Sequence, residues 1–285
     1  MLLFALRGCG GIGLGSGGSG GATASDVLVL RVAYEGGFLQ PSAQRVQIPF
    51  VSVYADGRIM SAGAVPAIFP GPLMTTVVVR SVGPDGAAAI LKAAADAGLT
   101  GPDTTYPGNS PPIDMPSTVV TVVHDGQRTA STFGYLPPTP ASPVVPGGSA
   151  GQVEAATSAL LGRLASGDTF GGTVGPEGTY QPLGFQVFAT PGDPSAAAPG
   201  TSATGPSLAR PPVDWPLATP LTSFGKPDPR GADGARVGLV TGADAVALGP
   251  ILANASQLTG FRSGGQVWTL AARPLLPDEV AAAGG

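Results

Sequence analysis

Cysteine and histidine occur once each in this chain, and tryptophan and lysine twice each. A single cysteine excludes an intrachain disulfide, and one cysteine with one histidine cannot assemble a Cys/His zinc site. No apolar run approaches the roughly 20 residues that carry a helix across a bilayer. Charge is scarce as well, with 14 basic and 18 acidic residues in 285 and no basic cluster. Phosphate binding draws on such a cluster to release counterions, so nucleic acid is not expected as a partner.

What is abundant is glycine (45) and proline (31), with alanine and valine. Glycine and proline at that level border on low-complexity composition. They are unevenly placed, however, and the runs VLVLRVAY, FVSVYADG, TTVVVRSV and STVVTVVH between them are rich enough in β-branched residues to read as strands. Folded segments therefore alternate with loose ones.

The first 25 residues hold two motifs. Gly8-Cys9-Gly10-Gly11-Ile12-Gly13 fits the G-x-G-x-x-G pattern, but it opens onto IGLGSGGSGGATAS. Each glycine in that stretch costs about 1 kcal/mol relative to alanine in a helix, so no dinucleotide-binding helix starts there. Gly17-Gly18-Ser19-Gly20-Gly21 matches G-x-S-x-G with no strand or helix around it. The alternative is an export signal: apolar MLLFAL, then Leu6-Arg7-Gly8-Cys9 in the manner of a lipobox. The apolar part is shorter than the usual 7–15 residues, as it would be with a translation start further upstream, and Arg7 departs from the small or apolar residue usual there. A Gly/Ser tether directly after the cysteine would let an anchored body stand clear of a membrane. Cys9 is thus the candidate lipidation site, and residues 1–25 are expected to be the remnant of a signal plus tether.

From Asp26 the pattern becomes regular. VLVLRVAY is a strand, and FVSVYADGRIMSAG is two strands joined at Asp56-Gly57, a favoured hairpin turn. TTVVVRSV follows as a further strand. Pro84 at a first helical position, Asp85 in the first turn and Gly98 near the end predict a helix over about 84–97. Residues 117–136 form a hairpin turning at Asp125-Gly126. The order predicts an α+β fold, largely antiparallel sheets with single helices packed on one face. The proline-rich stretch 137–151 reads as a linker between a lobe at 26–136 and a second α+β lobe at 152–280. In the second lobe, Val153, Ala156, Leu160 and Leu164 mark one side of a helix, 180–192 holds a strand, and 191–212 reads as a mobile loop. RVGLV, a helix over about 243–257 and QVWTLAARPLL complete it. Gly83-Pro84-Asp85 and Gly242-Ala243-Asp244 each precede a helix and are each followed by Leu-Thr-Gly at the same distance, so the lobes are candidates for a duplicated unit.

Residues with chemical capacity mostly have structural readings. His124 ends a strand before a turn and is expected to face solvent. Asp56 and Asp125 belong to Asp-Gly turns. Asp85 and Asp244 lie in first turns of helices, and Thr241-x-x-Asp244 resembles a capping box. Asp103, Asp114 and Glu177 fall in loops with no spacing that pairs them, and no alternating run of oxygen ligands marks a calcium loop. No catalytic, cofactor-binding or metal-ligating residue is therefore expected. Trp268 reads as core. Trp215, in a proline-rich loop, is either a buried plug or a ligand contact.

WPLATPLTSFG (215–225), TGADAVALGPILANASQLTGFRSGG (241–265) and RPLLPDE (273–279), with PFVSVYADGRIM and IDMPSTVVTVVHDGQ, resemble a group of uncharacterised actinobacterial secreted or lipid-anchored proteins. The resemblance spans nearly all of the chain from Asp26. It implies an extracytoplasmic, lipid-anchored or secreted setting and carries no activity. The expectation is a lipoprotein held in the membrane by its N-terminal anchor, serving as a non-catalytic binding or scaffolding module toward an envelope protein or glycan. The competing class is an envelope hydrolase with a carboxylate or serine site.

Overall fold

The computed structural model describes residues 26–39, 41–106, 114–138, 148–193 and 211–284. Cys9, the tether, most of the 137–151 linker and most of the 191–212 loop lie outside the described residues. The chain folds as the α+β class expected, with two mixed sheets and few helices.

The first lobe runs β1 (Leu28–Glu35), α1 (Pro41–Arg45), β2 (Val51–Tyr54), β3 (Arg58–Ala62), β4 (Val77–Ser81), α2 (Gly83–Asp96), β5 (Thr104–Tyr106), β6 (Ser117–His124), β7 (Gln127–Phe133), α3 (Gly148–Ala165) and β8 (Gly178–Thr179). Among the described residues its sheet has eight strands in the order β5-β7-β6-β1-β2-β3-β4-β8. The second lobe runs β9 (Gly184–Pro191), β10 (Val213–Asp214), β11 (Lys226–Pro227), β12 (Arg236–Thr241), α4 (Gly242–Asn254), β13 (Gly260–Ser263), β14 (Gln266–Pro274) and α5 (Pro277–Gly284). Its sheet order is β10-β13-β14-β9-β12-β11.

Alternation along the strands sorts side chains between two faces of the first sheet. Leu30, Val32, Val53, Ile59, Val120 and Val122 lie under α2 and α3, while Tyr54, Met60 and Val77 form a smaller cluster on the opposite face. A register shift between Leu28 and Leu30 lets Leu28 join Tyr54 rather than Leu30. The predicted hairpins turn at Asp56-Gly57 and Asp125-Gly126, and both glycines have positive φ. At Gly57 (φ 89°) no side chain is tolerated, because a Cβ would stand 2.2 Å from the Gly83 carbonyl oxygen.

The boundary between lobes is not where proline content placed it. α3 begins at Gly148, inside the predicted linker, and inserts Leu160, Leu161 and Leu164 into the first lobe's core. β8 then pairs with β4. The proline-rich stretch leads the chain back to the sheet it has just left, and the crossing into the second lobe falls between Tyr180 and Gly184.

The lobes exchange segments. The β3–β4 connection sends Leu73 into the second core, held by Leu73 N–H to the Ala255 carbonyl (3.0 Å) and Gln257 N–H to the Gly71 carbonyl (3.0 Å). In return the C-terminal segment lays Leu276, fully buried, against Tyr54, Met60 and Val77.

The repeat noticed in sequence has a local counterpart. Gly83 (φ 67°) and Gly242 (φ 60°) each turn a strand into a helix, and Leu99 and Leu258 are both buried after it. The surrounding strand order differs. In the first lobe the hairpin's first strand, β6, lies beside the central β1, whereas in the second the hairpin's last strand, β14, lies beside β9. The recurrence is confined to the strand–glycine–helix unit.

Candidate functional site

Two concentrations of charge stand out in the described residues, and they differ in whether their charges are already matched. The first is the seam between the lobes. Arg31 donates to Asp278 (2.8 Å) and Ser52 (3.0 Å), and the Tyr54 hydroxyl donates to the same Asp278 oxygen (2.7 Å). Arg273 grips Glu279 through both terminal nitrogens (2.8 and 3.2 Å) and donates from Nε to Gln186 (2.9 Å), while the Leu276 N–H closes onto Glu279 (2.9 Å). Burial, and then the Asp278 charge, push the Tyr54 hydroxyl far up. Burial also pushes Glu279 up, but Arg273, the Leu276 amide and Arg31 outweigh it and hold the carboxyl below its ordinary value. Each of these cations faces a carboxylate, so the seam is a clamp.

The second is a cleft of about 490 Å³ over β3 and β4. Its origin is geometric. Strands lie about 4.8 Å apart and packed helices 8–10 Å apart, so one helix shades about two strands. α2 rests on β1 and β6, with α3 alongside it. An eight-stranded sheet is too wide for two helices, and among the described residues the inner face of β3 and β4 is only partly covered beyond the end of α3, where Ser61, Val78 and Arg80 stay half-buried while Ile59 is buried.

Arg80 projects into this gap. It pairs in register with Ile59, and Val78 with Ser61, and these four side chains line the cleft with Phe50 and Val51 toward one end. Arg80 donates from Nη2 to the Leu164 carbonyl (3.1 Å) and from Nη1 to the Asp168 carbonyl (3.3 Å). Leu164 belongs to the last turn of α3, where carbonyls lack helical partners and attract cations. Among the described residues no carboxylate lies within ion-pair distance of Arg80. The nearby Asp168 carboxylate is committed elsewhere. It takes Arg163 Nε (2.6 Å) and the Phe170 N–H (2.7 Å), which hold its pKa down, and Arg163 lies 3.9 Å over the Phe170 ring. Desolvation lowers the pKa of Arg80, against the pull of Asp168 and Glu177, but a guanidinium stays charged throughout the accessible range. Glu177 stands exposed at the rim.

Trp215 packs into the second core. It is 8% exposed, donates from Nε1 to the Thr219 carbonyl (2.9 Å) and meets Phe224 and Phe261 edge-on. It is the buried plug, because its apolar ring fills the second core and its one polar atom finds a carbonyl. Trp268 is core, 1% exposed. His124 is exposed, with Nδ1 3.4 Å from Asp125, over a shallow hollow that also touches Thr129. The Thr129 hydroxyl is spent on the Leu99 carbonyl (3.1 Å). Asp56 takes Arg58 and Asp103 takes the Ala130 N–H. The Thr241 side chain makes no capping bond, so the expected capping box does not form. Among the described residues no three His, Cys, Asp or Glu side chains cluster as metal ligands, and no helix is long and apolar enough to cross a membrane.

Arg80 carries little signal in the sequence. The usable signal is that it shares a strand face with Val78, at the end of a stretch from Ser61 to Val79 without a single charge. Compared with protein-family models, curated proteins and solved structures, the chain matches none.

Proposed function

We propose that this protein is a non-catalytic binding module of the cell envelope, exported and anchored through acyl chains on Cys9, with the Arg80 cleft as its ligand site. The observation that carries the binding role is a half-buried guanidinium with no carboxylate within ion-pair distance among the described residues, set in a mostly apolar cleft with Glu177 at its rim. Pockets of a few hundred cubic ångströms with apolar walls and one placed charge are the common form of small-ligand sites. The anchoring role is supported by the lipobox-like Leu6-Arg7-Gly8-Cys9 and the Gly/Ser tether after it. Several acyl chains are needed for stable attachment, since one binds only marginally.

Metabolic labelling with an alkyne fatty acid in an actinobacterial host tests the anchor: label is expected on the wild type and lost in Cys9→Ala. An unlabelled wild type would overturn the anchor. In parallel, the purified chain is expected to turn over none of a panel of ester, peptide and glycan substrates. Turnover abolished by replacing a single Asp or Ser would make it a hydrolase instead.

A further inference from the structure

We infer that the Arg80 cleft binds a single-chain amphiphile with an anionic head, the head against Arg80 and the chain laid along Val78, Ser61 and Phe50, over a floor closed by the buried Ile59 and Val51. This rests on the reading of the cleft as a ligand site and names what it takes. The head follows from charge. Arg80 spends one N–H of each terminal nitrogen on backbone carbonyls, and the carboxylate of Asp168, whose backbone carbonyl is one of them, is held by Arg163 and Phe170. A carboxylate or phosphate oxygen placed there would receive charge-assisted hydrogen bonds from the remaining N–H groups and neutralise a cation that the fold has withdrawn from water.

The tail follows from the walls. Arg80 stands opposite Ile59, and the cleft continues past Ser61 to Gly63 and Ala64. Four residues of strand extend roughly 13 Å, the length of a medium acyl chain rather than of a small acid. The side chains along that path are apolar except for Ser61. Glu177, exposed at the rim, disfavours a second negative charge at the mouth.

The test uses the full chain with dansyl-undecanoic acid as the fluorescent probe, and decanoate, decyl phosphate and decanol as competitors. Decanoate and decyl phosphate share the head chemistry and are compared with each other to separate the two sources. Both are expected to displace the probe at concentrations at least tenfold below decanol. Arg80→Gln is expected to bring all three within about twofold, and Arg80→Lys to retain part of the preference. Ser61→Phe fills the path of the chain and is expected to abolish binding of every probe with thermal stability kept. Because Arg80 also holds the end of α3, Glu177→Gln provides a readout that leaves that contact intact: anions should bind more tightly and decanol unchanged. Preference for the anions persisting in Arg80→Gln would overturn the assignment of the head. Decanol matching decanoate while Ser61→Phe abolishes both would also overturn it and leave the cleft as a ligand site. Probe binding unaffected by Ser61→Phe, or no binding to the wild type, would overturn both.

Discussion

Glu279→Gln is expected to lower the unfolding free energy at neutral pH by about 2–4 kcal/mol, because removing one partner of a largely buried ion pair strands the other. Arg273 would keep its charge with only a neutral amide opposite. The substitution changes almost no volume, so packing does not account for the loss. It also predicts a pH dependence. The folded-state pKa of Glu279 lies below its ordinary 4.5, so its stabilisation is complete above that value and disappears as pH falls through the lower, folded value. The gap between wild type and Glu279→Gln in urea denaturation should therefore be full at pH 7 and close as the solution is acidified below about 4.5. A gap that stays constant into acid would mean that the carboxylate is not what holds the seam.

Leu276→Ala should cost a comparable amount, about 2–5 kcal/mol as for other buried leucines. Leu276 is contributed by the second lobe but is buried on the first lobe's outer face. Its loss therefore weakens the joint as well as one core. Both tryptophans, Trp215 and Trp268, lie in the second lobe, and all five tyrosines lie in the first. Tryptophan fluorescence and tyrosine absorbance thus report the two lobes separately. In the wild type the two transitions should coincide, as expected of an interlocked body. In Leu276→Ala they should separate, and with Glu279→Gln the losses should be non-additive, since the residues share one short segment.

How far the sequence foretold this molecule depended on the range of the interactions involved. Hairpins at Asp56-Gly57 and Asp125-Gly126, and the helices opened by Gly83-Pro84 and Gly242-Ala243, were readable because a turn or a helix start is decided within four residues. The lobe boundary was not. Proline content shows that 137–151 is a poor helix former, but nothing in it says whether the helix after it packs forward or back. Strands of two residues such as β8, β10 and β11 carry no periodicity to read. RPLLPDE was recognisable as a motif without a role, because Leu276, Asp278 and Glu279 acquire one only when they meet Arg31 and Tyr54, more than two hundred residues earlier. Arg80 was hidden for a related reason. In TTVVVRSV it looks like an ordinary strand arginine, and its significance comes from the width of the sheet against the width of two helices.

That mismatch of widths makes the cleft, and a guanidinium with no ion-pair partner among the described residues is what would make it select anions. A crystal structure of the full chain grown with decanoate tests this most directly. A carboxylate is expected within hydrogen-bond distance of Arg80, with a chain running past Ser61 toward Gly63. Decanoate lodged instead in the apolar hollow between Val213 and Ile251, with no ligand against Arg80, would contradict it.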